Sequence, residues 1–517
     1  MARNEKSEYG KKFKEQHHHF SPTLWNSTYL TRNASNKALI DFEVKPDRRG
    51  RRKSRFETRW DELPDPILEQ IFKYLTIRER YYASLVCRSW YEGFYLPYVW
   101  SEFVLGDSTL TRARFNYYQG WQYVLDHVRT QMCLTQVGPH FRKLTFEPMM
   151  NFFNLYEFMN MVSWYCEQND NRLVNVKGVA AKVRTLRFTF PCNMDSREDF
   201  EGVTLFGTGG RLLGALKRLM SNLPKLKRLE LIDLMLDYKE AQHLLDGVCE
   251  ACCLTLDTLV LINATKMSHQ ILHVGVFLNL QVLVLSPQNL GDDVIELIGY
   301  TKLKHLHILQ NRYTPDCVET HVEPKVWKSC KKSNPRISIH FEMECIKEKT
   351  IIWPMGAPIN SIIYDTPTIG VELSHVIQII ENYKDSLQVF GHKGLPRGYR
   401  PKSFHSRIDE PVMFLCRKCD NLKVLVISER VSTATLLLIA TTCRKLKKLH
   451  VRRNGVIKKC DWDYNQTWSD EYYQWLKDSS RSYETVEREI SEVLGYKWCM
   501  LSDKNFKGLH VDLHEEL

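Results

Sequence analysis

The sequence lacks long apolar runs and an apolar start. No stretch of about 18 uncharged apolar residues occurs in the 517-residue chain, so no membrane-spanning helix is predicted. The N-terminus, MARNEKSEYGKKFKEQHHH, is polar and charged and has no apolar core of the kind that a secretory signal needs. We therefore expect a protein that stays inside the cell, in the cytoplasm, the nucleus or both.

Cysteine is too sparse for a disulfide scaffold, and the common catalytic motifs are absent. The 15 cysteines, in a chain without a secretory signal, are expected as reduced thiols rather than as a disulfide framework. There is no Gly-x-x-x-x-Gly-Lys-Ser/Thr loop, no Gly-x-Ser-x-Gly elbow, no His-Glu-x-x-His pair and no Gly-x-Gly-x-x-Gly run. Neither a reactive cysteine in an activating environment nor the dense Cys/His spacing of a zinc-bound docking domain is visible. The sequence gives no reason to predict an enzyme, a catalytic residue or a cofactor.

Basic residues outnumber acidic ones, 72 to 61, and their densest cluster is KPDRRGRRKSRFETR at residues 45–59. A nuclear-import receptor could bind this cluster, and so could nucleic acid or another anionic surface. The plainer alternative is a solvated tail without a specific partner. Because residues 1–58 combine high charge with few clustered apolar residues, we predict a largely disordered basic tail over that range.

An amphipathic segment occupies residues 60–100. Asp65 followed by Pro66 is typical of an N-cap with proline at the first helical position, so a helix is predicted to begin there. Its apolar stripe, with a period of about four residues, consists of Ile67, Leu68, Ile71, Phe72 and Leu75. Thr76 and Glu79 fit a capping box. This box predicts the start of a second helix, which is expected to direct three side chains towards the same core, those of Tyr82, Leu85 and Val86.

Several motifs in this segment resemble the F-box. They are LPDPIL at 63–68, IFKYL at 71–75, VCRSW at 86–90 and a closing tryptophan, Trp100. The resemblance places an F-box at residues 59–105 and implies three short helices that dock on the Skp adaptor of a cullin-based ubiquitin ligase. The adaptor surface that it implies consists of Leu63, Pro64, Ile67, Leu68, Ile71, Leu75, Val86 and Trp90. The alternative is that some of these residues, Trp90 above all, only hold the helices together.

Downstream of residue 140 the phrase Leu-x-x-Leu-x-Leu recurs. Its plain copies, some with isoleucine or valine last, begin at residues 226, 256, 280, 303, 422 and 446. Several intervals fall near the spacing of about 20–29 residues that leucine-rich repeats show. Weaker copies are Phe141/Leu144/Phe146, Val183/Leu186/Phe188, Ile359/Ile362/Tyr364 and Phe506/Leu509/Val511. Helical patterns lie between the copies, so each repeat is predicted to form a strand, a turn and a helix.

The predicted fold is therefore α/β, with a short all-helical F-box followed by a leucine-rich-repeat solenoid, a horseshoe of parallel strands and helices. A linker or cap is expected at residues 106–140 and the solenoid at 141–517. Irregular spacing predicts insertions near 310–420 and 457–505. The second insertion is expected to contain a helix from Tyr483 to Leu494.

Asparagine recurs at one position of the repeat. Asn311 and Asn454 stand eight residues after the first leucine, where an asparagine satisfies backbone groups at the turn that follows the strand. Gln288 occupies the same position in its own repeat and is expected to substitute for the asparagine.

Two cysteine patterns have competing interpretations. The pairs Cys249/Cys252 and Cys416/Cys419 would supply the ligands of a tetrahedral zinc site. However, a cysteine also stands three residues before the first leucine in three separate repeats, at Cys253, Cys419 and Cys443. A shared offset favours a shared role as a small buried thiol at the end of the helix, so no metal ligand is predicted.

In such a strand the side chains between the leucines point to the other face of the sheet, which lines the concave side of a horseshoe. The residues predicted to bind substrate there are Val260, Val282, Val284, His305, His307, Val424, Val426, Lys448, His450 and Arg452. This surface is apolar in the middle repeats and basic in the last ones. It favours an apolar substrate segment with an acidic or phosphorylated end near Lys448, Arg452 and Arg453. The alternative is that inserts cover the valines and no partner contacts them.

Together these features predict a substrate-recognition subunit of a Skp/cullin/F-box-type ubiquitin ligase. Its expected partners are the Skp adaptor, the cullin scaffold and a protein substrate that the sequence does not identify. One alternative is a scaffold that uses its F-box-like helices without a ligase. Nucleic-acid binding is a weaker alternative, because the basic segments lack the interleaved aromatic residues of a single-strand binder.

Overall fold

The computed structural model describes residues 60–117, 120–149, 151–168, 178–190, 210–316, 322–344, 351–366, 370–395 and 403–514. Two units are distinguished, Met1–Trp60 and Asp61–Leu517. The predicted basic tail at residues 1–58 and its cluster at 45–59 lie outside the described residues. The fold below is that of the second unit.

Three short helices open this unit, within the fully described range 60–117. They are α1 (Asp65–Tyr74), α2 (Ile77–Ser84) and α3 (Arg88–Phe94). The capping box predicted for α2 is confirmed, because the Thr76 hydroxyl accepts from the Glu79 amide and the Glu79 carboxylate accepts from the Thr76 amide. The N-cap predicted for α1 is wrong by one residue, since Pro64 is the cap and Asp65 the first helical residue.

The strands of the described residues, in chain order, are β1 (Glu102–Leu105), β2 (Thr111–Asn116), β3 (Gly120–Leu125), β4 (Lys143–Phe146), β5 (Thr185–Thr189), β6 (Arg228–Ile232), β7 (Thr258–Ile262), β8 (Val282–Leu285), β9 (His305–Asn311), β10 (Ser338–Glu344), β11 (Ile359–Asp365), β12 (Val389–His392), β13 (Val424–Ile427), β14 (Val431–Ser432), β15 (Lys448–Val451) and β16 (Val456–Ile457). Twelve of these described strands form one parallel sheet, in the order in which they follow one another in the chain. The pairs β2–β3 and β14–β16 form an antiparallel hairpin and a short parallel ladder. The predicted α/β solenoid of parallel strands is confirmed.

The leucines of the repeat phrase form one ladder across the sheet. Leu229 of β6 pairs in register with Leu259 of β7, then with Leu283 of β8 and Leu306 of β9. All four side chains are fully buried. We call this side, against which the helices pack, the inner face. Because successive side chains of a strand alternate in direction, the residues between the leucines form the opposite, outer face.

Helices connect most strands and cover the inner face. After α3 the described helices are α4 (His127–Gln136), α5 (Phe152–Glu167), α6 (Arg211–Ser221), α7 (Tyr238–Cys252), α8 (Asp292–Gly299), α9 (Pro324–Ser333), α10 (Leu373–Tyr383), α11 (Asp409–Lys418), α12 (Thr433–Thr442), α13 (Asp470–Ser479), α14 (Tyr483–Leu494) and α15 (Asp503–Lys507). Successive helices such as α5 and α6, or α8 and α9, pack against each other, as stacked repeats require. No described helix is both long and apolar enough to cross a bilayer.

The sheet continues through residues 310–420, where irregular spacing predicts insertions. Strands β10, β11 and β12 lie in this range and pair in order. In the second predicted insertion, α14 has the predicted bounds Tyr483–Leu494. The weak copy that begins at Phe506 is wrong as a strand, because Phe506 lies in α15 and residues 508–514 form no strand. The boundaries proposed for the insertions stay a prediction.

A buried polar network lies at the carboxyl ends of β6, β7 and β9. Asn263 Nδ2 donates to Asp233 Oδ1 and to Asn311 Oδ1, both at 2.7 Å. Gln288 Nε2 donates to Asn263 Oδ1 at 2.9 Å and to the Thr265 carbonyl at 3.4 Å. Asn311 Oδ1 also accepts from a turn amide, that of Tyr313, at 2.9 Å. Asn311 and Gln288 therefore satisfy backbone groups as predicted.

Asn454 does not share this arrangement. It lies exposed in a 3-10 turn, Arg453–Gly455, and its Nδ2 donates to Asp503 Oδ2 at 3.0 Å. The role predicted for it from the repeat position is therefore wrong, and its side chain instead contacts the last helix, α15.

The cysteines that precede the repeats end helices. Cys253, Cys419 and Cys443 are the C-cap residues of α7, α11 and α12, which confirms their predicted place. Cys419 and Cys443 are buried as predicted, whereas Cys253 is partly exposed. Burial raises the pKa of Cys419 to about 12, so this thiol stays protonated at neutral pH. The described residues contain no group of three or more His, Cys, Asp or Glu side chains placed to hold a metal ion.

Candidate protein-interaction surfaces

The three N-terminal helices have a packed interior. Leu68 and Phe72 of α1 are fully buried, and the Phe72 ring meets the Trp90 ring edge-on with centroids 5.8 Å apart. A Cβ added to Gly93 of α3 would lie 3.3 Å from Leu68 Cδ1, so α1 and α3 approach closely at this point. Leu68 was predicted on the adaptor surface and is instead a core residue. Trp90 is half-buried and supports the same interior, which agrees with its alternative structural role.

A buried arginine fastens these helices to the chain that follows. Arg80 Nε donates to the carbonyls of Phe72 and Leu75, at 2.9 and 3.0 Å, and Nη1 donates to the Val99 carbonyl at 2.8 Å. Its guanidinium lies 5.2 Å from the centroid of the Trp100 ring. Charge-assisted bonds to carbonyls at the end of α1 hold that helix against the segment that leads into β1.

The same helices leave other apolar side chains in solvent. Ile67 is 47% exposed, Leu85 62% and Val86 67%. Tyr82, Leu85 and Val86 were predicted to point to the core, and this is wrong. Tyr82 is exposed on α2, and Leu85 and Val86 follow the end of α2 at Ser84 and lie in solvent. We define the docking face as the exposed or partly exposed residues Leu63, Pro64, Ile67, Ile71, Leu75, Leu85 and Val86. So many exposed apolar side chains on one short segment favour a protein partner.

A second exposed apolar surface was not predicted. In the β2–β3 hairpin, Phe115 and Trp121 are cross-strand partners whose rings meet edge-on at 5.4 Å, and both are exposed. Tyr123 lies two residues further along β3 and is also exposed. The alternation of aromatic and polar residues in this stretch was the signal that could have identified the ribbon.

The early outer face carries paired charges. Arg187 Nη1 of β5 lies 3.3 Å from Glu230 Oε2, and Arg228 Nε lies 2.5 Å from Glu230 Oε1. One carboxylate thus serves two arginines on neighbouring strands. These charges satisfy each other within the chain, so this end of the sheet is polar but internally neutralised in part.

The middle of the outer face is apolar. Val260 packs with Ile232, Ile262 and Leu309 in a small cluster of buried residues, with Val284 at its edge. Val260, which was predicted to be open to substrate, is therefore buried among its neighbours. The predicted residues of β8 and β9 that keep partial exposure are Val282, Val284 and His305.

The late outer face is covered by the C-terminal tail, which we define as residues 502–514. Phe506 of α15 is fully buried in an apolar cluster on three neighbouring strands. We call its partners the late apolar patch, which consists of Ile363, Val389, Val424 and Val426. Val424 and Val426 retain only 2% and 1% exposure. The prediction of two open substrate-binding valines is therefore wrong, because the chain covers them with its own tail.

The rest of the tail lies extended along this surface. Leu509, Val511 and Leu513 pack against the late apolar patch and its surroundings and are partly buried. The residues between them, His510 and Asp512, are exposed. An alternation with a period of two is what an extended segment shows when one side lies on a sheet.

An ion pair anchors the start of the tail. Arg452 Nε lies 2.7 Å from Asp503 Oδ1, and the Leu501 amide just before the tail donates to the Val451 carbonyl at 2.8 Å. The hydrogen bond from Arg452 lowers the pKa of Asp503. Arg452 was predicted to attract an acidic group of a substrate, and in the structure it binds an acidic group of the chain itself. Lys448 is exposed and His450 is half-buried beside it on β15.

A histidine cluster receives the end of the tail. His514 Nε2 lies 2.9 Å from His307 Nε2, and its ring stacks on His305 with centroids 4.2 Å apart. His307 Nδ1 bonds Glu342, so the predicted residue His307 is buried between two partners. Burial lowers the pKa of His305 to about 4 and that of His340 well below its usual range. The His305 and His340 rings are therefore neutral at neutral pH and stack without charge repulsion.

Comparisons with known proteins concern the helical segment. Residues 60–105 match the F-box-like family. A stretch of 44 residues, 8% of the chain, is 46% identical to F-box/LRR-repeat protein 21 of Mus musculus and covers 10% of that protein. The comparison thus spans about a tenth of the relative's length. The chain carries an F-box-like domain at residues 60–105, followed by an α/β solenoid of parallel strands.

Proposed function

We propose that this chain is the substrate-recognition subunit of a Skp/cullin/F-box-type ubiquitin ligase, working inside the cell in the cytoplasm or the nucleus. The observation that carries the proposal is the docking face. The segment that matches the F-box-like family packs Leu68 and Phe72 inward and leaves Ile67 and Val86 in solvent. A face of this composition gains apolar burial on binding the Skp adaptor.

The proposed contribution of the chain to ubiquitin transfer is proximity. The docking face would hold the adaptor and, through it, the cullin, while the solenoid holds the target protein. Tethering raises the effective concentration of the target near the charged ubiquitin carrier, which accelerates transfer without a catalytic residue in this chain. The fastening of α1 through Arg80 supports this role, because a fixed joint sets the distance over which a target is presented.

Two alternatives make different predictions. A scaffold without a ligase would bind the adaptor but retain no cullin. Nucleic-acid binding is favoured by one observation, a cleft of about 620 Å³ at the amino ends of the strands, lined by five cations, Arg184, Lys225, Lys227, Lys302 and Lys304. No aromatic side chain lines this cleft, so stacking of bases has no support there. Affinity that falls steeply with salt would be the mark of this alternative.

Reconstitution from purified components tests the proposal. The full chain is mixed with a cullin scaffold, with and without the Skp adaptor, and the mixtures are separated by size-exclusion chromatography. We expect the chain to co-elute with the cullin only when the adaptor is present. A complex that contains the adaptor but never the cullin would favour the scaffold, and a chain that binds neither would overturn the proposal.

A further inference from the structure

The late apolar patch is a binding site that the chain itself fills. Phe506 is fully buried there, although it lies in a five-residue helix near the end of the chain. The patch lies on the outer face of β11, β12 and β13, where the proposed function expects a target to bind. Gly391 of β12 has no side chain at this place, and a Cβ there would lie 2.9 Å from Ile363 Cδ1. The Ile363 and Val426 side chains, two members of the patch, therefore close together over Gly391.

The tail has the contacts of a bound peptide rather than of a strand in the sheet. Residues 508–514 form no strand, and their packing uses side chains at alternate positions. The ends are fixed by polar contacts, Asp503 with Arg452 and His514 with His307. Side-chain pockets and end contacts of this kind can be reproduced by another segment of similar sequence.

Resting on the proposed function, we infer that the late apolar patch is the docking site for a linear segment of the target protein, and that the tail occupies this site until the target segment replaces it. The structure thereby assigns the kind of partner. It is an unfolded segment whose side chains repeat the chemistry of the tail.

The tail gives the pattern that such a segment should have. An acidic residue meets Arg452, as Asp503 does. An aromatic residue three positions later fills the patch, as Phe506 does. Aliphatic residues follow the aromatic residue at three, five and seven positions, as in Leu509, Val511 and Leu513. The patch therefore selects an acidic residue followed by spaced apolar residues.

The tail competes strongly because it is tethered. An intramolecular segment on a short linker acts at an effective concentration of about millimolar. A free peptide of equal contact quality therefore binds the intact chain weakly. Weakening the tail by one substitution should expose the patch to a peptide supplied from outside.

The test uses the full chain and a fluorescent peptide with the sequence of residues 500–514. We expect Phe506→Asp to bind this peptide at least about tenfold more tightly than the unmodified chain. A carboxylate is not stably buried in the apolar patch, so the tail of this variant leaves the patch free for the peptide. The matched control is Val493→Asp, at an exposed apolar position of α14, which should bind like the unmodified chain. Adding Val426→Asp to Phe506→Asp should remove the gain.

Limited proteolysis within residues 502–514 measures whether the tail has been released. A released tail without a gain in peptide affinity would overturn the inference, and so would a tail that stays protected in Phe506→Asp. If this variant does not fold, Leu509→Ser with Val511→Ser, at partly exposed positions, serves in its place with the same expected results. Adaptor binding is measured in parallel. If the unmodified chain does not bind the adaptor, the proposed function alone is contradicted. If Phe506→Asp does not bind the peptide more tightly, the docking site alone is contradicted.

Discussion

Replacing Ile67 and Val86 together with arginine abolishes co-purification of the Skp adaptor with the full chain. Both side chains belong to the docking face and are exposed, so the helices should tolerate the change. Burial of each apolar side chain at an interface contributes about 1.5–3 kcal/mol, and a buried unpaired charge costs more. The combined loss of about 4 kcal/mol or more corresponds to about a thousandfold in affinity. Pull-down of the adaptor with the purified chain measures this.

The choice of positions follows from the structure. Leu68→Arg would also remove binding, but Leu68 is fully buried, so its loss of binding would report unfolding of the helices. The matched control is Leu272→Arg with Val493→Arg, two exposed apolar positions outside the helical segment. This pair should leave adaptor recovery unchanged. Full recovery of the adaptor by the Ile67→Arg, Val86→Arg chain would exclude the docking face.

Replacing Asp409 with alanine destabilises the late part of the solenoid by about 3 kcal/mol, the low end of the cost of removing one partner of a buried ion pair, because Asp461 still pairs with Arg407. The side chains of Arg407 and Asp409 are both fully buried, with Arg407 Nε 2.8 Å from Asp409 Oδ2. Asp409 Oδ1 also accepts from the Ser432 amide at 2.9 Å and from the Thr435 hydroxyl at 2.5 Å. The substitution leaves these donors and the guanidinium without that carboxylate.

The same pair connects the start of α11 to the segment after β16. Arg407 Nη2 lies 2.6 Å from Asp461 Oδ2, so loss of Asp409 also disturbs the support of this segment. Urea unfolding followed by circular dichroism measures the effect, with Asp463→Ala, an exposed carboxylate nearby, as the control. A shift within about 0.5 kcal/mol of the control would show that the pair is not a net support of the fold.

The leucine phrase predicted the sheet because its leucines make the same contact from one repeat to the next. Leu229, Leu259, Leu283 and Leu306 meet in one ladder, and an apolar residue at a fixed spacing is sufficient to enter it. Strand β10 was missed because its inner residues, Ile339, Phe341 and Met343, follow the alternation without the leucines of the phrase. Its outer residues include His340 and Glu342, so the strand does not show the apolar outer positions of its neighbours.

Tertiary contacts determine which apolar residues are buried and which segments form strands where the local spacing fits more than one arrangement. Ile67 and Leu68 are adjacent and equally apolar, yet Leu68 meets α3 and Ile67 meets solvent. The spacing of Phe506, Leu509 and Val511 fits a strand, but Ser502 caps a helix by accepting from the Asn505 amide at 3.3 Å. That these residues then cover the late apolar patch depends on contacts with strands 80 or more positions earlier in the chain, which periodicity does not encode.

Amide hydrogen exchange of the full chain, with and without a saturating amount of the Skp adaptor, tests the central claim most directly. The account predicts that the adaptor slows exchange in α1, α2 and the residues up to Val86, while α13 and α14 keep their rates. Protection confined to the sheet or to the tail, with unchanged exchange at residues 63–86, would contradict the assignment of the docking face.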